Sequence, residues 1–131
     1  AAGCQSFMEK YTQPSFQKQS MVMFASHAPG EPLEPYWPSP NQTLAMFLVS
    51  RPHVAYLGWG WESNDNMWSS TNETTFCYDV GEPLALGKQS APGEFQRDYH
   101  NAALGRTVTV RIDCKNFAAD LGDLAVNPHC H

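Results

Sequence analysis

The sequence is poor in charged residues, and basic residues are the scarcer kind. Only 16% of its 131 residues are Asp, Glu, Lys or Arg, whereas about a quarter is usual in globular proteins. The 13 acidic residues outnumber the 8 basic ones, for a net charge of −5. Nucleic-acid-binding proteins present basic surface to the phosphates, so this balance argues against nucleic acid as a partner. The sequence also has no run of basic residues that would attract an anionic membrane surface.

Long hydrophobic runs are missing as well. A membrane-spanning helix needs about 20 consecutive apolar residues, and the longest candidate, residues 44–49, is far shorter. No basic segment followed by an apolar one begins the chain, which starts at Ala1 in what resembles the interior of an element. We therefore expect a processed or cut piece of a longer protein. With 42% apolar residues, the chain suffices for one folded domain.

Short motifs of nucleotide, esterase and redox chemistry are absent from the sequence. It contains no G-x-G-x-x-G, no P-loop, no G-x-S-x-G and no C-x-x-C, so a nucleotide cofactor and a serine esterase are both unsupported. The final residues His129, Cys130 and His131 are of metal-ligating types. Because adjacent residues in an extended tail rarely converge on one ion, we predict no metal and no other cofactor.

The sequence does contain four widely spaced cysteines: Cys4, Cys77, Cys114 and Cys130. Two N-x-[ST] sequons begin at Asn41 and Asn72. An even cysteine count together with sequons is typical of secreted proteins. We therefore predict a secreted, extracellular chain with all four cysteines in disulfides and with glycans on Asn41 and Asn72. Four reduced core cysteines and two unmodified sequons are the alternative. Four cysteines allow three pairings, and the sequence does not choose among them.

The hydrophobic pattern divides the chain into an α/β part, residues 1–75, and a β-rich part, residues 76–131, of the same structural unit. The predicted strands are residues 4–9, 20–26, 54–61, 94–99, 106–114 and 116–120. Residues 20–26 are a continuous apolar run, which is typical of a strand buried on both faces. A helix is predicted over residues 42–50, before the third strand. The order strand, connection, strand, helix, strand favours parallel pairing for the first three strands. Strict alternation favours antiparallel pairing for the later ones.

Two further features are predicted to be architectural. A glycine and a proline in residues 81–84 form a turn, with Leu84 as an apolar plug. Arg97 is expected to pair with a carboxylate such as Asp79.

Several segments, taken in order, carry a resemblance to a known family. They are AMFLVSRPHVAYLGWGW at residues 45–61, YDVGEPL at residues 78–84, FQRDY at residues 95–99 and RTVTVRID at residues 106–113. Their order and spacing resemble the C-terminal part of glycoside hydrolases with a TIM-barrel catalytic domain. FMEKY at residues 7–11 is similar to the E-x-[FY] that ends an inner strand there. The resemblance implies the C-terminal portion of a (β/α)8 barrel followed by an antiparallel β-hairpin, with the N-terminal part of the barrel missing.

Two carboxylates are candidates for the chemistry that this resemblance implies. Glycoside hydrolysis usually needs two carboxyls that flank the bond, and TIM-barrel active sites lie at the carboxyl ends of the strands. Glu9 would end the first strand, so we predict that Glu9 is catalytic. Glu62 follows the third strand and is predicted to bind substrate. A solvated strand-end carboxylate is the alternative for both residues.

Aromatic residues are candidates for sugar stacking. Trp59 and Trp61 share one face of their predicted strand and would form the floor of a saccharide site. Trp37 lies in a proline-rich loop, and His27 follows the second strand, where its ring could hydrogen-bond a sugar hydroxyl. Ordinary packing is the alternative for all of them.

Two functions therefore stay open. The first is the C-terminal portion of a secreted glycoside hydrolase that hydrolyses or binds glycosidic substrates through Glu9 and aromatic stacking. The second is a non-catalytic extracellular module used for sugar binding or structural assembly, because incomplete sheet edges favour strand pairing. Carbohydrate is the predicted partner, and the missing N-terminal barrel portion or further copies of the chain would cover the open edges. A small disulfide-stabilised domain unrelated to barrels is a third alternative.

Overall fold

The computed structural model describes residues 2–25, 40–59, 78–122 and 125–126. In chain order its elements are α1 (Ala2–Tyr11), a 3-10 helix (Phe16–Lys18), β1 (Met21–Ala25), α2 (Pro40–Ser50), β2 (Ala55–Trp59), β3 (Tyr78–Asp79), β4 (Glu82–Pro83), β5 (Lys88–Ala91), β6 (Glu94–Asn101), β7 (Arg106–Asp113), β8 (Ala118–Asp120) and β9 (Ala125–Val126). β1 and β2 form a parallel pair, β3 and β9 form an antiparallel pair, and β4 to β8 form a five-stranded antiparallel sheet.

The antiparallel sheet is built around the β6–β7 hairpin, in which Phe95 lies opposite Ile112. β4 and β5 pair in succession with the outer edge of β6, and β8 pairs with the outer edge of β7. The predicted alternation is confirmed, because Val108, Val110 and Ile112 are buried while Arg111 is exposed. Every second residue of a strand is buried when one face of the sheet packs on the core and the other face is in contact with solvent.

α2 is a buried helix, and each of its residues from Thr43 to Ser50 is buried. It packs against β6, β7 and β8 and also contacts α1. A helix that is apolar all round belongs in a core. One hydrophobic core thus joins α2, the inner face of the sheet, and Cys4 and Met8 of α1. The helix predicted over residues 42–50 is confirmed, including its end before Pro52.

Residues 4–9 were predicted to form a strand and are helical instead. Cys4 and Met8, four residues apart, are buried, whereas Gln5 and Glu9 are exposed. Residues four apart share one face of a helix, and residues two apart share one face of a strand. The burial therefore follows the helical period, which six residues of sequence were too few to show.

The prediction of a partial (β/α)8 barrel is wrong for the described residues. Parallel pairing is confined there to β1 and β2, which align Met21 with Ala55 and Ala25 with Trp59. The first predicted parallel strand, residues 4–9, lies in α1, and α2 covers the antiparallel sheet. The fold is a small mixed one in which no barrel closes among the described residues.

The C-terminal end of α2 is buried, so its last carbonyl groups must find partners inside the protein. The hydroxyl of Tyr99 donates to the carbonyl oxygen of Leu48 at 2.5 Å. The side-chain amide of Gln17 donates to the carbonyl oxygen of Ser50 at 2.7 Å. The final carbonyls of a helix have no partner within the helix itself. Side chains from β6 and from the 3-10 helix therefore supply the missing donors.

Arg97 places a buried positive charge beside the C-terminal end of α2. The residue is only 6% exposed, and its guanidinium donates to the carbonyl oxygens of Ala85 at 2.7 Å and Arg51 at 2.5 Å. Burial lowers the pKa of Arg97 and raises the pKa of Tyr99, whose ring centroid lies 5.7 Å from Cζ of Arg97. A cation near a helix C-terminus interacts favourably with the helix dipole. Arg97 therefore has the predicted architectural role, and its partners are backbone carbonyl groups. The predicted pairing with Asp79 is not tested, because the side chain of Asp79 lies outside the described part of the structure.

Two glycines permit close backbone contacts around the sheet. Gly81 has φ of 82°, and a Cβ there would overlap the carbonyl oxygen of His100. A Cβ on Gly87 would overlap the carbonyl oxygen of Val49 in α2. The close contact supports the predicted structural role of Gly81. The predicted turn is wrong, because Glu82 and Pro83 form β4, and the predicted plug is wrong, because Leu84 is 57% exposed.

A disulfide joins Cys4 of α1 to Cys114, which directly follows β7, with 5.4 Å between the two Cα atoms. The bridge spans a sequence separation of 110 residues and lies in the core. The sequence left the partner of Cys4 open, and the structure assigns it to Cys114. Cys77 and Cys130 lie outside the described residues.

We predict that Tyr99→Phe lowers the free energy of unfolding by about 1–3 kcal/mol, because it leaves the buried carbonyl of Leu48 without its donor. Urea denaturation followed by circular dichroism measures this loss as a lower midpoint at unchanged slope. Tyr56→Phe is the matched control, since Tyr56 is exposed. An equal midpoint for the two variants would contradict the assigned role of the Tyr99 hydroxyl.

We predict that Cys4→Ala and Cys114→Ala each lower the free energy of unfolding by about 4 kcal/mol, because either change opens the long loop that the disulfide closes. Combining both changes should cost little more than either alone, since one bond is lost in all three variants. Additive losses in urea denaturation would show that the two cysteines act independently.

Candidate functional site

A cavity of about 400 Å³ opens between α1, the 3-10 helix and β1. We call it the aromatic groove and define it by its lining residues: Phe7, Tyr11, Phe16, Gln19, Ser20, Met21, Val22, Met23, Ser50 and Pro52. Binding sites for small molecules are usually concave, largely apolar, and provided with a few polar groups that orient the ligand. Most of the lining residues are aromatic or apolar, and Gln19, Ser20 and Ser50 add polar side chains, although polar atoms form the larger part of the surface accessible inside the cavity.

Three rings form one wall of the groove. The centroids of Phe7 and Tyr11 are 4.6 Å apart, and those of Tyr11 and Phe16 are 5.2 Å apart. Phe7 and Tyr11 meet because residues four apart are neighbours on a helix. All three residues are half-buried, so part of each one is accessible from the groove.

A positive charge lies beside this wall. The ammonium nitrogen of Lys10 is 5.4 Å from the ring centroid of Tyr11 and 5.8 Å from that of Phe16. A cation at this distance is attracted to the negative face of an aromatic ring. The contact stabilises the positions of the two rings relative to α1.

Gln17 connects two lining residues of the groove, Tyr11 and Ser50, by hydrogen bonds. Its side-chain amide donates to the carbonyl oxygen of Tyr11 at 3.1 Å and to that of Ser50 at 2.7 Å. The same amide therefore joins the end of α1 to the end of α2. Its oxygen, Oε1, is buried and has no hydrogen-bond partner among the described residues.

β1 also contributes to the lining of the groove, with Met21, Val22 and Met23. Consecutive strand residues point to opposite faces, so a cavity lined by Met21, Val22 and Met23 follows the strand edge rather than one face. The other edge of β1 pairs with β2. Val22 and its cross-strand neighbour Tyr56 are 59% and 67% exposed, so these two apolar side chains of the parallel pair are accessible to solvent.

Glu9, the predicted catalytic residue, lies on α1 with an exposed side chain. Its Oε1 accepts a hydrogen bond of 2.8 Å from the side-chain amide of Gln5. Residues two apart point about 200° apart around a helix, so Glu9 points away from Phe7 and Tyr11, and it is not part of the groove lining. The predicted strand-end position of Glu9 is wrong, whereas its catalytic role stays a prediction.

Trp59 is the last residue of β2, for which the sequence predicted residues 54–61, and it is aligned with Ala25. Nothing is described of its side chain. Asn41 lies in α2 with an exposed side chain. Five other predicted site residues lie outside the described part of the chain: His27, Trp37, Trp61, Glu62 and Asn72.

The aromatic groove is not where the sequence predicted a site. It is lined by residues 19–23 and by Ser50 and Pro52, which precede β2, so it lies toward the amino ends of the two parallel strands. The prediction concerned their carboxyl ends. The i, i+4 spacing of Phe7 and Tyr11 was the sequence signal for this wall, and it was missed because residues 4–9 were assigned to a strand.

Among residues 2–25, 40–59, 78–122 and 125–126, no three His, Cys, Asp or Glu side chains are grouped closely enough to hold a metal ion. None of the helices described there is long and apolar enough to cross a membrane.

Comparison with known proteins assigns no family. No protein-family model matches the chain, and no curated protein is significantly similar to it.

The catalytic hypothesis for Glu9 predicts that Glu9→Gln abolishes hydrolysis of a glycoside substrate and leaves the melting temperature unchanged, because the side chain is exposed. Reducing-sugar release measures the activity, and Gln5→Ala is the control that removes the neighbouring amide but keeps the carboxylate. Equal hydrolysis by the parent chain and Glu9→Gln would remove Glu9 from the mechanism.

Proposed function

We propose that this chain is an extracellular carbohydrate-binding module and that the aromatic groove is its ligand site. The observation that carries the proposal is the wall of three contacting rings, Phe7, Tyr11 and Phe16, in a cavity of about 400 Å³. Aromatic rings pack against the apolar faces of sugars. Gln19 and Ser20 bring side chains that can hydrogen-bond sugar hydroxyls to the same cavity.

The size of the groove supports a short saccharide. Ligand sites for small molecules usually have volumes of about 300–1,000 Å³, and the groove lies at the lower end of this range. The groove would hold a few sugar rings of a longer chain or the end of an oligosaccharide.

Binding is favoured over hydrolysis by the composition of the lining. Hydrolysis of a glycosidic bond usually needs two carboxyl groups that flank the bond. The described lining of the aromatic groove contains aromatic, aliphatic, amide and hydroxyl side chains and no carboxylate.

The extracellular location is supported by the disulfide. Cys4 and Cys114 are bonded, and disulfides form and persist mainly in oxidising compartments. The two sequons agree with this location.

Assembly with further copies of the chain is a second candidate function. The specific observation in its favour is the edge of β1 that lines the groove, beside the exposed Val22 and Tyr56. A strand edge with exposed apolar residues is a template for pairing with another strand.

The two functions predict different effects for two substitutions. Phe16→Leu keeps an apolar side chain but loses the ring, so we expect about 3- to 10-fold weaker binding of an oligosaccharide, whereas Phe16→Tyr should bind like the parent chain. Titration calorimetry with cello-, malto-, laminari- and chito-oligosaccharides measures the affinity. Tyr56→Leu is the matched control, because it removes an exposed ring outside the groove.

For assembly, Val22→Lys places a charge beside the strand edge and should abolish self-association in sedimentation experiments, while Phe16→Leu should leave it intact. Failure of every oligosaccharide to bind, or equal affinities for the parent chain and Phe16→Leu, would refute sugar binding in the groove.

A further inference from the structure

We infer that Asn41 carries an N-linked glycan and that Thr43 is retained in the core for this modification. The inference rests on the secretory location in the proposed function and is independent of sugar binding in the aromatic groove. It concerns the sequon Asn41-Gln42-Thr43 in the first turns of α2.

The acceptor residue is accessible in the folded protein. Asn41 is exposed, although the helix that follows it is buried from Thr43 onward. The middle residue of the sequon, Gln42, donates from its side-chain amide to the carbonyl oxygen of Phe117, in the connection between β7 and β8. A glycan on Asn41 therefore leaves the surface without displacing the core contacts of the same segment.

The hydroxyl of Thr43 has no evident role in the fold. Thr43 is 1% exposed, and its Oγ1 has no hydrogen-bond partner among the described residues. A buried hydroxyl without a partner destabilises the folded state. Valine has nearly the same shape without the hydroxyl, so packing alone would favour valine here.

The sequon explains why the hydroxyl is present, because glycosylation of asparagine requires Ser or Thr two residues later. The modification takes place on the nascent chain, before Thr43 is buried. Nδ2 of Asn41 forms a bond to C1 of the first sugar of an oligosaccharide carried on a polyprenyl diphosphate. The bond from C1 to the diphosphate oxygen breaks, the lipid diphosphate leaves, and one amide proton is released.

The test uses the full chain, secreted from eukaryotic cells and collected from the medium, with Asn72→Gln so that Asn41 has the one remaining sequon. We expect a shift to higher mass that peptide N-glycosidase removes. Digestion in heavy-oxygen water should convert Asn41 to labelled aspartate in the peptide that contains it. Secreted protein with an unmodified Asn41 would overturn the inference.

Two substitutions at Thr43 separate modification from folding. Thr43→Ser keeps the sequon and should be glycosylated, whereas Thr43→Val should lose the mass shift entirely. The melting temperature of Thr43→Val should equal or exceed that of the enzymatically deglycosylated parent chain, since no hydrogen bond is lost. A clearly lower melting temperature would assign the hydroxyl a structural role and overturn the argument from Thr43.

Discussion

The fold depends on how the buried C-terminal end of α2 is satisfied. A helix placed in a core cannot leave its last carbonyl groups to water, and an unsatisfied buried carbonyl costs about as much as a lost hydrogen bond. Tyr99, Arg97 and Gln17 donate to Leu48, Arg51 and Ser50 respectively. Two of these donors come from β6 and one from the 3-10 helix, so the sheet and the N-terminal segment are both held to the same helix end.

This arrangement links the candidate site to the stability of the core. Gln17 donates to Ser50 at the end of α2 and also to the carbonyl oxygen of Tyr11, whose ring forms part of the aromatic groove. The disulfide between Cys4 and Cys114 holds the other end of α1 to the end of β7. α1 is therefore attached to the core at both ends, and its groove-facing rings are held in place without packing completely into the core.

The sequence predicted an element correctly where one hydrophobic period, that of a helix or that of a strand, extended over enough residues. The alternation of residues 107–113 predicted β7 and its buried face, and the apolar run before Arg51-Pro52 predicted α2. The short segment 4–9 was ambiguous, since its apolar residues fit a strand until the burial of Cys4 and Met8 shows the helical period. Leu84 follows β4 and was predicted to be an apolar plug, but no local pattern indicates whether another surface will cover it, and it is exposed.

By itself, the sequence determined the elements with a clear period, the parallel direction of β1 and β2, and the presence of four cysteines and two sequons. The tertiary structure decided which cysteine pairs with Cys4, which side chains satisfy the end of α2, and that Phe7, Tyr11 and Phe16 share a cavity with β1. These outcomes depend on contacts between residues far apart in the chain. Local periodicity reports how a residue is oriented within its own element, whereas the partner of that residue is set by the packing of whole elements around one core.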